Sequence, residues 1–329
     1  MRQSRFGDDN SNQEKGAIVL SPKISIILPT YSRRLALERT IASVFAQDEQ
    51  NFELMVVDDC STDDTAAYLA SLTDERIRVL RPHKNLGTAG ARNLGLDAAR
   101  ADIFALLDDD DVYLEHRLSA PLAVFARDPE VVVTLSSSVK FDRKRTQIVQ
   151  MPELTLAPAA FEWALICDLI GVEGTSITAR RQVALDVGGF CQGMKWIDDR
   201  EFLIRASRRG SGHLIAEPLW QKYWSGDGQS NQWEQAGLSL VTYLQARPEL
   251  TGRFRKLGTY FATKVIVSDL RHGLLGALMR DLRDFSRAGV ITGDILRMWR
   301  EHREVRRYRR THSGQKALAS LRKGPDSWC

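Results

Sequence analysis

The feature that most constrains the fold is an apolar segment, residues 103–107, followed at once by four carboxylates at 108–111. Five apolar residues in a row are typical of a strand that is buried on both faces of a sheet. Adjacent carboxylates repel one another, and a bound divalent cation would cancel that repulsion because hard cations take oxygen ligands. A solvated acidic turn is the alternative. The end of a buried strand is where open α/β sheets bind ligands, so the pattern favours a cation site.

Three further segments before it have strand character, residues 23–28, 53–57 and 76–80, and helical patterns separate them. Such alternation predicts βαβ units, a parallel sheet and right-handed crossovers. The second segment also ends in acids, Asp58 and Asp59. Because the carboxyl ends of parallel strands lie at one edge of a sheet, both acidic groups are expected to face one crevice.

Beyond residue 114 the pattern is less regular. Residues 131–135 predict another strand, 143–158 a polar loop, and 214–231 an irregular, aromatic-rich region in which Trp220 is either core or a binding platform. Asp198 and Asp199 lie near the start of a predicted helix, where the helix dipole favours anions. From residue 236 onwards mostly helices are expected.

Charge is divided unevenly along the 329 residues, of which 43% are apolar. Residues 251–329 contain 18 Lys and Arg against 7 Asp and Glu, whereas the preceding residues contain 28 against 35. A basic tail suits anionic surfaces. The most basic segment is 299–310, which starts at Trp299 and ends at Arg310; we expect it to bind an anionic membrane surface, the alternative being a solvated helix face. Nucleic acid is not expected as a partner.

The four cysteines are scattered without a CxxC pair, which argues against a zinc site or a disulfide framework and suits a reducing cytoplasm. The first residues are polar and have no signal-peptide pattern, and no apolar run reaches transmembrane length. We therefore expect a cytoplasmic protein, peripheral on the inner face of the membrane if segment 299–310 binds lipid.

Six motifs in order resemble family 2 of the nucleotide-sugar glycosyltransferases. They are SIILPTY at 25–31, VVDDCSTD at 56–63, ARN at 91–93, LDDDD at 107–111, VGGF at 187–190 and DDREFLIR at 198–205. The resemblance covers about residues 22–231. It implies a GT-A fold, which is an α/β fold with a Rossmann-like, mostly parallel sheet flanked by helices, here followed by a helical C-terminal extension.

The domain organisation that follows has three parts: a disordered lead at residues 1–21, a GT-A domain at 22–235 and a basic helical extension at 236–329. The GT-A domain divides into a nucleotide-binding half, about 22–112, and an acceptor half, about 113–235. The implied activity is inverting, metal-dependent transfer of one sugar from a nucleotide-diphosphate sugar, expected to be a UDP-sugar. The expected acceptor is a saccharide or lipid-linked saccharide in cell-surface glycan synthesis.

The resemblance also assigns roles to individual residues. It implies that Asp199 is the catalytic base, expected on the acceptor side of the crevice and away from the metal. It implies that Asp110 and Asp108 hold Mn²⁺ or Mg²⁺, with Asp108 also near the ribose. The implied donor-binding residues are Pro29, Thr30, Tyr31, Asp59, Arg92, Asp108 and Asp109.

Two departures from the family pattern affect the site. Asp198 stands where the family usually has Glu, and residues 223–230 lack the His that the family often carries, for which Asp227 is a candidate substitute. The chain has no Gln-x-x-Arg-Trp motif and no transmembrane run, so single-sugar addition is expected rather than polymer extrusion.

Other interpretations of the same residues remain open at this point. Arg92 could be a surface helix residue paired with Asp97, Asp199 a helix-start acid, and Asp58 and Asp59 caps of the helix after Ser61. A nucleotide-binding oxidoreductase would need a glycine fingerprint that is missing here. The other alternative is a non-catalytic nucleotide- or anion-binding protein with a basic membrane- or nucleic-acid-binding tail.

Overall fold

Ten strands form a single mixed sheet in the computed structural model, which describes residues 21–142, 145–192, 194, 197–223, 241, 243, 255–291, 294–312, 318 and 321. The main path of the sheet runs β3-β2-β1-β4-β9-β6-β10-β5, with β7 paired to β6 and β8 to β10. The strands are β1 Ile24–Thr30, β2 Phe52–Asp58, β3 Ile77–Leu80, β4 Ile103–Leu106, β5 Asp111–Tyr113, β6 Val131–Asp142, β7 Arg145–Val149, β8 Leu154–Leu156, β9 Ile177–Arg180 and β10 Ser211–Tyr223.

Helices cover the sheet and continue beyond it. They are α1 Arg34–Phe45, α2 Thr65–Ala70, α3 Gly87–Ala98, α4 Ser119–Arg127, α5 Pro158–Ile166, α6 Arg181–Asp186, α7 Asp198–Ala206, α8 Arg255–His272, α9 Leu275–Arg287 and α10 Ile295–His312. The predicted α/β class with helices after the sheet is therefore confirmed.

The first four strands along the chain are parallel neighbours, as the sequence predicts. Their apolar runs explain this arrangement, because a strand covered by helices on both faces has no polar side. Gly95 of α3 lets that helix approach closely: a Cβ there would lie 2.6 Å from a methyl carbon of Ile27 on β1. The C-terminal ends of β1, β2 and β4 thus form one edge.

The second half of the sheet is antiparallel where it joins the first. Strand β9 pairs antiparallel with β4 and with β6, and β6 pairs parallel with β10. The predicted loop at 143–158 is wrong for β7 and β8. The prediction of an irregular region from 214 is likewise wrong up to residue 223, which belongs to β10. Trp220 is 1% exposed and is therefore core rather than a sugar platform.

The three C-terminal helices dock beside α5 and α7 through polar as well as apolar contacts. Asp168 lies just after α5. Its carboxylate forms ion pairs with Arg200 of α7 and with Arg309 of α10, each at 2.6 Å. The indole N–H of Trp163 donates to the hydroxyl of Tyr308 at 2.9 Å. Within the described residues, no helix has both the length and the apolar character needed to cross a membrane.

Two buried carboxylates face each other between α8 and α9. Asp269 is 0% exposed and Asp281 is 1% exposed, and within the described part of the chain neither oxygen of Asp269 has a hydrogen-bond partner. Burial and the neighbouring Asp281 raise the pKa of Asp269 to about 6. The pair is therefore most stable when it shares a proton, and the folded state holds that proton more tightly than the unfolded chain.

This pair makes packing of the extension depend on pH. A raised pKa in the folded state gives a stabilisation that is complete below the unfolded pKa near 4 and is lost as the pH rises through about 6. We expect Asp269→Asn, whose amide can donate to Asp281, to raise the stability at pH 8 by roughly 1–2 kcal/mol and to change it little at pH 4.5.

Thermal denaturation at the two pH values measures this effect. Asp284→Asn, a partly exposed carboxylate of the same helix α9, is the matched control and should leave both curves near those of the parent. Equal destabilisation by Asp269→Asn at both pH values would contradict a shared proton.

Candidate active site

The two acidic groups predicted to face one crevice do meet at the C-terminal edge of β1, β2 and β4. The hydroxyl of Thr30, at the end of β1, donates to the carboxylate of Asp109 at 2.8 Å. The backbone N–H of Asp59, just after β2, donates to the carbonyl of Thr30 at 2.9 Å. These bonds tie the ends of three strands together.

Arg92 of α3 is the centre of this edge. Its side chain is 3% exposed and contacts Asp108 at 2.8 Å, Asp198 at 2.9 Å, and Asp199. These carboxylates raise the pKa of the guanidinium against the opposing effect of burial. The alternative of a surface Arg92 paired with Asp97 is therefore wrong. Arg92 joins the acidic turn after β4 to the start of α7.

Asp199 lies on the other side of that guanidinium from Asp108. Burial raises the pKa of the Asp199 carboxyl to about 7, although Arg92 favours the charged form. We expected Asp199 to be separate from the predicted metal ligands, and this expectation is wrong in part, since one guanidinium contacts both Asp199 and Asp108. A carboxyl with a pKa near neutrality can accept a proton at physiological pH.

A glycine and a threonine before β9 support this arrangement. A Cβ at Gly174 would lie 2.2 Å from a guanidinium nitrogen of Arg92, so only glycine fits beside it. The hydroxyl of Thr175 accepts from the backbone N–H of Asp108 at 3.1 Å and donates to the carboxylate of Asp111 at 2.5 Å. The sequence did not indicate this support, because neither Gly174 nor Thr175 belongs to any of the six motifs.

Asp111, which was not assigned a role from the sequence, is fully buried. Burial raises the pKa of its carboxyl well above the usual value, while the ammonium of Lys222 on β10 opposes that shift. Strand pairing explains the proximity, because Lys222 lies opposite Asp111 across β10 and β5. Asp111 therefore supports the site by binding Thr175 and by facing Lys222.

The two middle acids of the turn, Asp109 and Asp110, contact Arg33 from the loop after β1. Arg33 lies 2.7 Å from a carboxylate oxygen of Asp110 and 3.8 Å from Asp109. Burial raises the pKa of Asp109 to about 7, against the effect of Arg33. Arg33 was not singled out from the sequence, although its place directly after the SIILPTY motif was a signal.

The other predicted donor-binding residues lie at the same edge. Tyr31 is 47% exposed beside it. Asp59 is buried and accepts the backbone N–H groups of Leu86 and Gly87 at 2.7 and 2.8 Å, so it stabilises the start of α3 rather than the helix after Ser61. Asp227 lies outside the described residues.

The carboxylates at this edge can be compared with the ligands that a divalent cation needs. Within the described residues, no group of three His, Cys, Asp or Glu side chains is placed to hold a metal. Asp108 and Asp110 offer carboxylate oxygens and are 29% and 16% exposed. Mg²⁺ is commonly held by one or two carboxylates, with substrate phosphates and water completing the shell, so these two residues fit such an ion.

A cavity of about 170 Å³ adjoins Asp199, and its lining includes none of the four acids of the turn after β4. Helix α7 contributes Asp199 and Arg200 to its lining, and α8 of the extension contributes Phe261, Lys264 and Val265. Helix α7 and the C-terminal helix α8 thus share the walls of one cavity.

Known proteins share the sequence region that carries most of this site. The model described as Glycosyl transferase family 2 matches residues 25–188, which include β1 to β9 and Arg92, Asp108 and Gly174. The chain belongs to glycosyltransferase family 2. The matched residues thus include the acidic turn, and the family predicted from the six motifs is confirmed.

Curated relatives of this family 2 protein include two with named roles. It is 35% identical over 153 residues to the succinoglycan biosynthesis protein ExoO of Rhizobium meliloti (strain 1021), covering 44% of each chain. It is 41% identical over 101 residues to GalNAc(5)-diNAcBac-PP-undecaprenol beta-1,3-glucosyltransferase of Campylobacter jejuni subsp. jejuni serotype O:2 (strain ATCC 700819 / NCTC 11168), covering 30% of this chain and 33% of that one. The chain therefore spans less than half of either relative.

Among solved structures, the family 2 protein is similar to S. aureus TarS 1-349 in complex with UDP-GlcNAc. The TM-score is 0.57 at 20% identity, and the match covers 81% of this chain and 90% of that one. At this identity the similarity concerns the fold alone, and it confirms the predicted GT-A fold.

Proposed function

We propose that this protein is an inverting, divalent-metal-dependent glycosyltransferase that moves one sugar from a UDP-sugar to a hydroxyl of a saccharide or lipid-linked saccharide. The observation that carries the proposal is the Arg92 cluster. One nitrogen of the guanidinium contacts Asp108 of the acidic turn, and another contacts Asp199, which lines the cavity. A donor on the Asp108 side and an acceptor in the cavity would then meet at this point.

The donor and acceptor classes are supported by what similar proteins bind or act on. TarS, which has the same fold, was solved with UDP-GlcNAc. The Campylobacter relative is named for an undecaprenol-diphosphate-linked acceptor, and ExoO for succinoglycan biosynthesis. These names favour a UDP-sugar donor and a role in cell-surface glycan synthesis for this chain.

In the proposed mechanism Asp199 is the general base. It accepts the proton of the acceptor hydroxyl as the hydroxyl oxygen attacks the anomeric carbon of the donor and the bond to UDP breaks. Attack from the face opposite UDP inverts the configuration. A pKa of about 7 suits this role, because general bases work best with a pKa near the operating pH. Arg92 orients the carboxylate.

The donor would lie along the edge formed by β1, β2 and β4. Tyr31 and Pro29 would lie beside the nucleoside. Thr30 donates to the carboxylate of Asp109 and would hold it in place. Asp108 and Asp110 would hold Mn²⁺ or Mg²⁺, which as a Lewis acid stabilises the charge that develops on the diphosphate leaving group. Arg33 neutralises Asp110 in the structure, so it would have to share that carboxylate with the ion.

The base assignment is tested by Asp199→Asn. We expect the variant to bind UDP and Mn²⁺ like the parent and to transfer sugar on the order of 10²–10⁴-fold more slowly, because Asn cannot accept the proton. Asp198→Asn is the matched control, since Asp198 contacts the same guanidinium. Single-turnover transfer and UDP calorimetry measure the two quantities. If Asp199→Asn transfers sugar at the parental rate, the general base is another residue.

The metal assignment is tested by Asp110→Ala. We expect Mn²⁺ to strengthen UDP binding by the parent and to have little effect on the variant, because one of two protein carboxylate ligands is gone. Calorimetry with UDP in the presence and absence of Mn²⁺ measures this. Asp63→Ala, a carboxylate near the same edge that caps α2, serves as control. Retention of the full Mn²⁺ effect in Asp110→Ala would exclude Asp110 as a ligand.

We also propose that segment 299–310 holds the enzyme at an anionic membrane surface on the cytoplasmic side, near a lipid-linked acceptor. On α10 the residues Glu301 and Val305 are buried, whereas Arg303, Arg307 and Arg310 are exposed and lie at helical spacing. An exposed cationic face over a buried face suits a charged surface.

Vesicle co-sedimentation tests the membrane proposal. We expect binding to vesicles of phosphatidylglycerol and phosphatidylcholine, and weak binding to phosphatidylcholine alone. Changing Arg303, Arg307 and Arg310 to Gln should weaken the former roughly 100-fold, because each basic residue contributes about 1 kcal/mol near such a surface. Changing the exposed Arg271, Arg283 and Arg287 instead is the control. Equal loss in both variants would mean that the site is not on α10.

A further inference from the structure

The cavity beside Asp199 has walls of two different kinds. Phe261 and Val265 of α8, Tyr243 and Ile197 provide an aromatic and aliphatic surface, whereas Asp199, Asp168, Arg200 and Lys264 provide charged groups. Apolar walls with a few polar groups are typical of small-molecule sites, and aromatic rings suit the apolar faces of sugars. Any group that fills the cavity contacts the proposed base and the extension at once.

Positive charge exceeds negative charge at one side of this cavity. Asp168 accepts Arg200 and Arg309, each at 2.6 Å, and Lys264 Nζ lies 3.8 Å away. Three cations therefore surround one carboxylate.

The three cations are not equivalent. Arg200 also donates to the carbonyls of Leu165 and Ile170, and Arg309 donates to the carbonyl of Asp168, so both arginines are fixed by the fold. Lys264 is 45% exposed, lies at the outer limit of ion-pair distance from Asp168, and borders the cavity. Burial lowers the pKa of the Lys264 ammonium, as do the neighbouring Arg309 and Arg200, while Asp168 opposes the shift.

We propose that this cavity is the acceptor pocket and that Lys264, contributed by the C-terminal extension, binds an anionic group of the acceptor. This inference rests on the proposed function, since it deepens the acceptor side of the same site. A phosphate or diphosphate linked to the acceptor sugar and the carboxylate of an acidic sugar share the required chemistry. The extension thus selects the acceptor as well as covering the sheet.

Binding of defined probes tests the proposal without requiring transfer. The probes are three octyl-bearing N-acetylglucosamine or glucuronate compounds: a neutral octyl glycoside, a sugar 1-diphosphate octyl ester and an octyl glucuronide. Calorimetry is done with saturating UDP and Mn²⁺ so that the diphosphate probe cannot occupy the donor site. We expect the parent to bind at least one anionic probe tenfold more tightly than the neutral one, and the preferred anion distinguishes phosphate from carboxylate.

Variants of α8 assign that preference to Lys264. Lys264→Met keeps the length and packing of the side chain without its charge, and should remove the preference. Lys264→Arg should retain it, which separates loss of charge from misfolding. Lys256→Met is the matched control, because Lys256 lies on the same helix, pairs with Glu304 at 3.1 Å and is not among the residues that line the cavity.

Absence of an anion preference in the parent, or its persistence in Lys264→Met, would overturn the proposal. Failure of the proposed function is detected separately. It would appear as unimpaired transfer by Asp199→Asn or as absent UDP binding, neither of which depends on Lys264.

Discussion

The buried guanidinium of Arg92 is the interaction on which the rest of the site depends. Three carboxylates from two distant parts of the chain converge on it, one after β4 and two at the start of α7. Removing these charges from water is costly, and only mutual attraction with good hydrogen-bond geometry compensates. Arginine suits this position because it keeps its charge when buried and presents several donors in fixed directions.

The turn at residues 187–190, which precedes α7 in the chain, is fixed by a second set of contacts that does not involve charge pairs. The side chain of Asn93, next to Arg92 on α3, donates to the carbonyl of Phe190 and accepts from its N–H. Gly189 has a positive φ of 66°, and a Cβ there would lie 2.4 Å from the Asn93 oxygen. The VGGF turn is therefore shaped to dock on α3, and successive residues of that helix position both the turn and the carboxylates.

How far the sequence predicts the fold depends on the kind of signal. Strand β4 is a continuous apolar run, and β1 and β2 each contain runs of three or four apolar residues, which is why these strands were predicted. Strand β10 was missed because Gly212 and Pro218 interrupt its pattern, and the register against β6 shifts near both residues. Gly212 is required there because a Cβ would lie 2.5 Å from the ring of Phe161. A packing constraint of this kind leaves no periodic trace.

The site shows the same limit. The motifs predicted that Asp108, Arg92 and Asp199 belong to one crevice, and the structure brings them together. They did not predict that the three would contact one another, because an ion pair across 107 positions depends on how α7 packs. Nor could the sequence predict that Lys264 and Arg309 would reach Asp168, since the extension has no motif and its placement follows from tertiary contacts, both polar and apolar.

The pairing of β4 with β9 affects how the protein can move. Strand β4 hydrogen-bonds to β1 on one side and to β9 on the other, so the sheet continues without a break from the first half of the chain into the second. Helix α7 also packs directly on β4, with the rings of Phe104 and Phe202 6.4 Å apart. The acidic turn follows β4 directly, and Asp199 lies on a helix that packs against β4. Separating the two halves of the sheet at this point would break the pairing of β4 with β9. A change in crevice width must therefore arise from loops and from the C-terminal helices, and not from a hinge between two lobes.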